Sequence, residues 1–188
     1  MPLLDHFGFL APFYDRVITT VRPERLGELL QLPAEGLLLD VGGGTGRVAQ
    51  TLAGAVSHLV VLDESPGMLQ EARRKGLVVA QSRAERLPFA DGSLPRVLMV
   101  DAFHHLAHHT QVVSELARVL APGGRLVIEE PDITHRAVKW VALAEKLLLM
   151  RSRFFSSTEM ARMFDTAGLQ VSLVHDGPNF WLLARKPA

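Results

Sequence analysis

A chain of 188 residues is long enough to bury one full hydrophobic core, and a composition 48% hydrophobic and 21% charged is that of an ordinary globular domain. Twenty basic and twenty acidic residues leave a formal net charge of zero, which argues against an affinity built on phosphate backbones and predicts no nucleic-acid partner. Cysteine is absent, so disulfides, thiolate catalysis and thiol-dependent arsenite methylation have no residue to work with here.

In chain order, helices are expected over 10–19 and 23–32, the second opened by Pro23 at a first-turn position. The run Leu37-Leu38-Leu39-Asp40-Val41 reads as a strand over 37–41. It breaks into Gly42-Gly43-Gly44-Thr45-Gly46, which opens a helix over 46–55. Strands follow near 58–62, 77–81, 96–101 and 125–130, with helices near 65–75 and 110–120. Val97-Leu98-Met99-Val100 is a continuous apolar run of the kind a strand buried on both faces carries. Val112, Leu116 and Val119 make one stripe of the helix that Pro122 and Gly123-Gly124 stop. Ser156 and Glu159 form a capping box for a last helix, closed by Gly168. Leu169, Val171 and Leu173 alternate with polar residues and pair with 180–185 across the turn Asp176-Gly177-Pro178-Asn179. Strand and helix alternate throughout, so the expectation is one domain over 1–188: an α/β, doubly wound, mostly parallel sheet behind N-terminal helices within 1–35.

Between the fifth strand and the final helix, residues 133–156 hold a helical segment that is apolar around most of its circumference, with Ala137, Trp140, Ala144, Leu147 and Met150 on one stripe. Lys139, Glu145 and Lys146 interrupt it too often for a membrane span. Core packing, a cover over an apolar substrate and a homodimer contact all remain open for it. The N-terminus shows no charged segment followed by an apolar one, so the expected location is cytoplasmic.

The glycine loop carries most of the functional information. Glycines at 42, 44 and 46 let the backbone turn sharply and approach a ligand, and a helix start directs N–H groups at it. A dinucleotide fingerprint counted from Gly42 needs glycine or alanine where this chain has Arg47, which disfavours a nicotinamide oxidoreductase. Asp63 closes the second strand about 20 residues on, where a carboxylate can take two adjacent ribose hydroxyls. A bare tight turn is the plain alternative for the glycines alone.

The loop has the form D-x-G-x-G-x-G, and Glu64-Ser65-Pro66-Gly67-Met68-Leu69, Ala84-Glu85-Arg86-Leu87-Pro88-Phe89 and Glu115-Leu116-Ala117-Arg118-Val119-Leu120-Ala121-Pro122-Gly123-Gly124 follow in order. Together with Phe7 to Asp15, these stretches resemble the class I S-adenosylmethionine (SAM)-dependent methyltransferases, in particular the small-molecule type of ubiquinone and menaquinone biosynthesis. The resemblance covers residues 7 to 130. It implies a seven-stranded Rossmann-like methyltransferase sheet with an antiparallel C-terminal strand, SAM as cofactor, and no metal. It further implies that Asp40 braces the loop, that Gly42 and Gly44 admit the amino-acid portion of SAM with Gly46 also at the cofactor, and that Asp63, with Glu64 beside it, holds the ribose. Ala84 and Glu85 border the adenine, Asp101 lies near the SAM ammonium group, and Tyr14 closes over the top. The acceptor implied is a small apolar or aromatic molecule. A silent SAM-binding or scaffold protein is the alternative, because Arg83 stands where relatives place an aspartate that accepts the adenine amine and an arginine cannot accept. A quinone acceptor is put in doubt by the missing N-terminal signatures of the quinone enzymes. A nucleic-acid amino-methyltransferase is disfavoured because Asp101-Ala102-Phe103-His104 replaces the Asn-Pro-Pro-Tyr type of signature.

His104-His105-Leu106-Ala107-His108-His109 admits three readings. On a helix, i and i+4 imidazoles could hold a metal; as a satisfied structural group they would only pack. Beside the transferred methyl, His104 or His105 would be a general base, although an in-line displacement from a sulfonium can also run on proximity alone.

Overall fold

In the computed structural model, residues 22–136, 138–140 and 152–188 are described. The helix expected over 10–19, Tyr14, and half of the 133–156 segment including Met150 lie outside them. Seven strands form one sheet: β1 (Ala34–Val41), β2 (Val56–Asp63), β3 (Val78–Gln81), β4 (Leu94–Val100), β5 (Leu120–Pro131), β6 (Gln170–Asp176) and β7 (Asn179–Arg185). Their spatial order is β3-β2-β1-β4-β5-β7-β6, and β7 alone runs antiparallel to its neighbours β5 and β6. This is the doubly wound sheet with an antiparallel C-terminal strand.

The described helices are α1 (Pro23–Leu30), α2 (Arg47–Leu52), α3 (Pro66–Arg74), α4 (His109–Val119) and α5 (Ser157–Thr166). Alternation along the central strands sorts the core into two layers. Leu39, Val41, Val97, Met99, Leu126 and Ile128 face α4 and α5. Leu38, Leu98 and Val127 turn to the other side, under Leu26, Leu29 and Leu30 of α1 and Val48 and Leu52 of α2. Both faces are therefore covered, as the uninterrupted apolar run in β4 requires.

Local signals act where the chemistry places them. Ser65 caps α3 by accepting from the Met68 N–H, and Met68 packs beneath, buried. Pro95 lies at the register break between Leu94 and Arg96 of β4, so its missing N–H interrupts no regular ladder position. Two differences from the sequence reading matter. The helix after the glycine loop is only six residues, continued by a 3-10 turn over Ala53–Ala55, and β5 begins at Leu120 rather than near 125.

The strand order reverses between β1 and β4, so loops on opposite sides of that point diverge and leave a crevice at the carboxyl ends of the strands. The glycine loop and the 101–106 loop flank it.

Ser156 accepts from the Glu159 N–H while Glu159 reaches back to the Ser156 N–H at 2.9 Å, a complete capping box on α5. Ser156→Ala should lower unfolding free energy by about 1 kcal/mol, read as a reduced urea midpoint at unchanged slope. An unaltered midpoint would show that the box is redundant with the packing of Met160 and Phe164.

Candidate active site

The glycine loop is fastened from below. Leu62 at the end of β2 accepts from the N–H groups of Gly42, at 2.7 Å, and Gly43, at 3.2 Å; Gly46 N–H returns to Gly43 O. Asp63 completes the tie: Oδ2 accepts from Gly44 N–H at 3.0 Å and Oδ1 from Ser65 N–H at 2.9 Å. The amides of 42, 43, 44 and 46 thus turn inward, so they are not among the N–H groups that the helix start can direct at a ligand. The glycines serve packing as well. At Gly46, with φ +72°, a Cβ would lie 2.2 Å from Leu77 Cδ1; at Gly42, with φ +68°, it would lie 2.7 Å from the Ala102 side chain. Gly44 is the open one, with only Met68 Sδ at 3.7 Å.

Asp40 lies directly under the loop, 1% exposed, with Oδ2 lacking a hydrogen-bond partner. Burial, then the charge of Asp63, raises its pKa to about 7, against the opposing pull of Arg47. Asp101 follows β4 in the left-handed region at φ 51°. Burial, then Glu130 and Glu129, raises its pKa to about 6.

Glu130, at the end of β5, is the residue sequence reading missed. Its Oε1 accepts from the N–H groups of Ala102 at 3.0 Å and Phe103 at 2.7 Å, and its Oε2 lies 2.6 Å from His104 Nδ1. The signal was present: Glu129-Glu130 are two carboxylates ending an apolar strand run that is buried on both faces. His104 is buried and stacks on Phe154 with ring centroids 4.5 Å apart. His105 lies against His104, centroids 4.0 Å apart, with Nδ1 3.0 Å from Ser152 Oγ. Burial, then the His104 charge, lowers the His105 pKa to about 3, so this ring is neutral and a poor base near pH 7. Residues 103–105 form a 3-10 turn and α4 begins at His109, so His104 and His108 do not share the helix that an i and i+4 metal pair needs.

On the other flank, Arg83 folds back between two acids. Its Nη2 donates to Glu85 Oε1 at 3.2 Å and its Nε lies 3.6 Å from Glu64 Oε2. Glu85 and Ala84 are buried; Glu64 is exposed. The structure therefore brings Asp40, Gly42, Gly44, Gly46 and Asp63 together on one side of the crevice and Asp101, His104 and His105 on the other. Trp140 is 73% exposed, whereas Val138 and Phe155 are buried among the described residues of the 133–156 segment.

This is the strand order and loop arrangement of the Rossmann-like methyltransferases. A family model described as a methyltransferase domain matches residues 39–128. The demethylmenaquinone methyltransferase of Mycolicibacterium vanbaalenii is 37% identical over 103 residues, covering 55% of this chain and 45% of that protein. The trans-aconitate 2-methyltransferase of Methylobacterium nodulans is 33% identical over 156 residues, covering 76% of this chain and 60% of that one. Among solved structures, a SAM-dependent methyltransferase from Thermotoga maritima superposes with a TM-score of 0.79 at 24% identity, covering 96% of this chain and 97% of that one. Residues 39–128 thus carry a methyltransferase domain, and the chain is similar in sequence and fold to the class I SAM-dependent methyltransferases. It spans about half the length of the curated relatives it matches.

The folded chain keeps the Asp40 proton up to about pH 7, whereas the unfolded chain loses it near the ordinary value of 3.8. Between those values the unfolded state binds fewer protons, so stability falls as pH rises from about 4 to 7. Asp40→Asn should flatten that slope in urea unfolding series across the interval, leaving a smaller contribution from Asp101 that ends near pH 6. A slope unchanged by the substitution would contradict a buried, uncompensated carboxyl at this position.

Proposed function

We propose that the chain binds SAM in the crevice between the glycine loop and the 101–106 loop and transfers its methyl group to a small-molecule acceptor. One observation carries this reading: Asp40, Asp63, Asp101, Glu129 and Glu130 all lie at or just past the carboxyl ends of β1, β2, β4 and β5, with Arg47 acting on Asp40, Asp101 and Glu129 and Arg22 acting more strongly than Arg47 on Glu129. An arc of carboxylates suits a ligand carrying a sulfonium and an ammonium; it would repel a pyrophosphate. The lack of a Cβ at Gly44 and the orphaned Asp40 oxygen beneath the loop fit such a ligand as well.

In this reading Gly44 admits the amino-acid portion, Asp101 faces the ammonium group, Asp63 with Glu64 holds the ribose, and Ala84 and Glu85 border the adenine. Bound SAM supplies a methyl group on a sulfonium, whose neutral thioether is the leaving group. The chain supplies position and a route for the acceptor's proton. Nδ1–H of His104 donates to Glu130, so a proton taken from an acceptor hydroxyl or amine arrives at Nε2, and Glu130 stabilises the resulting imidazolium. His105, held neutral, buttresses that ring. Acidic surroundings disfavour a carboxylate acceptor and favour a neutral or cationic one. The exposure of Trp140 supports the second reading, a silent SAM-binding protein.

Calorimetry should show S-adenosylhomocysteine binding and no binding of NAD. Asp63→Ala should weaken S-adenosylhomocysteine by about 1.5 to 3 kcal/mol, the range for charged hydrogen bonds. Tight NAD binding without S-adenosylhomocysteine would overturn the cofactor assignment.

Labelled-methyl turnover against phenolic, quinol and amine acceptors separates the enzyme from the silent binder. His104→Ala should cut turnover at least about a hundredfold with cofactor affinity intact, and Glu130→Gln should shift the acid limb of the pH profile. Full activity in both variants would leave proximity as the mechanism; no turnover on any acceptor would select the silent binder.

A further inference from the structure

At the opposite end of the sheet, three arginines stand side by side. Arg96 of β4 pairs in register with Arg125 of β5, and Arg125 with Arg185 of β7. Cross-strand partners share a face, so the three side chains leave the sheet together on the α1 side, where like charges directly opposite are destabilising. Two of them have structural partners: Arg96 Nε donates to Leu30 O at 2.8 Å and Arg125 Nη1 to Leu29 O at 3.3 Å, at the carboxyl end of α1. A helix end carries at most about half a negative charge, which leaves the row with an excess of about +2.5. Among the described residues no carboxylate pairs with Arg96, Arg125 or Arg185, in a chain whose formal net charge is zero. Burial, then the two neighbouring guanidinium groups, lowers the pKa of Arg125.

Beside this row opens a cavity of about 220 Å³ lined by Arg125, Arg185, Gln170 and Ser172, with Val171, Leu183 and Ala184 forming the remainder. Its volume is below the roughly 300 Å³ at which drug-sized pockets begin. Two guanidinium groups, an amide and a hydroxyl around a small open space form a donor set for tetrahedral oxyanions, which arginine recognises through paired N–H groups. The Arg185 side chain makes no hydrogen bond or ion pair with any described residue and is exposed, so its guanidinium can turn to a ligand at no structural cost. We propose that this cavity is an anion site for a phosphate or diphosphate group, at the end of the sheet remote from the crevice.

Inorganic pyrophosphate and acetate, titrated into the full chain at equal ionic strength, test it. Pyrophosphate should bind at least tenfold more tightly than acetate, and Arg185→Gln should weaken it at least tenfold, as should Ser172→Asp, which places a negative charge in the cavity. Both positions are exposed, so the urea midpoint and S-adenosylhomocysteine affinity should not move. Equal affinity for pyrophosphate and acetate, or pyrophosphate binding undiminished in both variants, overturns the proposal. Loss of pyrophosphate and S-adenosylhomocysteine in parallel also overturns it, by placing the anion in the crevice. The outcome is read from pyrophosphate alone, so it stands apart from whether the chain proves to be a methyltransferase in solution.

Discussion

Buried and half-buried carboxylates at the ends of parallel strands are the constraint on which the rest of this molecule depends. Taking a carboxylate out of water is costly unless donors replace the solvent. Two of these groups are compensated by backbone amides of neighbouring loops. Asp63 takes the N–H groups of Gly44 and Ser65, and Glu130 takes those of Ala102 and Phe103 as well as the His104 ring. Each acid therefore bolts a loop to the sheet, one on either side of the crevice. Asp40 and Asp101 are less compensated, and their pKa values rise to about 7 and about 6. Such unmet polarity is a cost that a cationic ligand bound nearby would relieve.

The zero net charge conceals a separation. Carboxylates gather at the carboxyl ends of β1, β2, β4 and β5, while Arg96, Arg125 and Arg185 gather at the other end of the sheet. Such an arrangement directs cations to one end and anions to the other, with an influence on approach that salt would screen over about 10 Å at 0.1 M. The same acidic surroundings would disfavour a pyrophosphate-bearing ligand at the glycine loop.

The 101–106 loop joins this electrostatic frame to the acceptor side. Arg153 N–H donates to His104 O at 2.7 Å, and Phe155 packs on Phe103 and His109. The loop that Glu130 holds is thus also the anchor for the chain returning from the 133–156 segment. A change in that segment would be felt at His104 through one hydrogen bond and one stacked ring.

Local pattern was enough for the α/β alternation, the glycine turn, the Ser65 and Ser156 caps and the buried stripe of Val112, Leu116 and Val119. Each follows from residues within a few positions of one another, whose periodicity and hydrogen-bonding capacity are intrinsic to the chain. The same holds for the excluded dinucleotide spacing at Arg47. What only the tertiary structure decided depends on partners far apart in sequence: the inward turn of the glycine-loop amides onto Leu62 and Asp63, the hold of Glu130 on His104, the return of Arg83 onto Glu64 and Glu85, and the row of arginines across three strands. Strand register and the reversal between β1 and β4 create those juxtapositions, and no local pattern encodes which strand a given residue will face. A histidine pair in sequence is two equivalent bases. In the fold, one acquires a carboxylate partner and the other a desolvated, neutral environment, and that difference in surroundings gives them different chemistry.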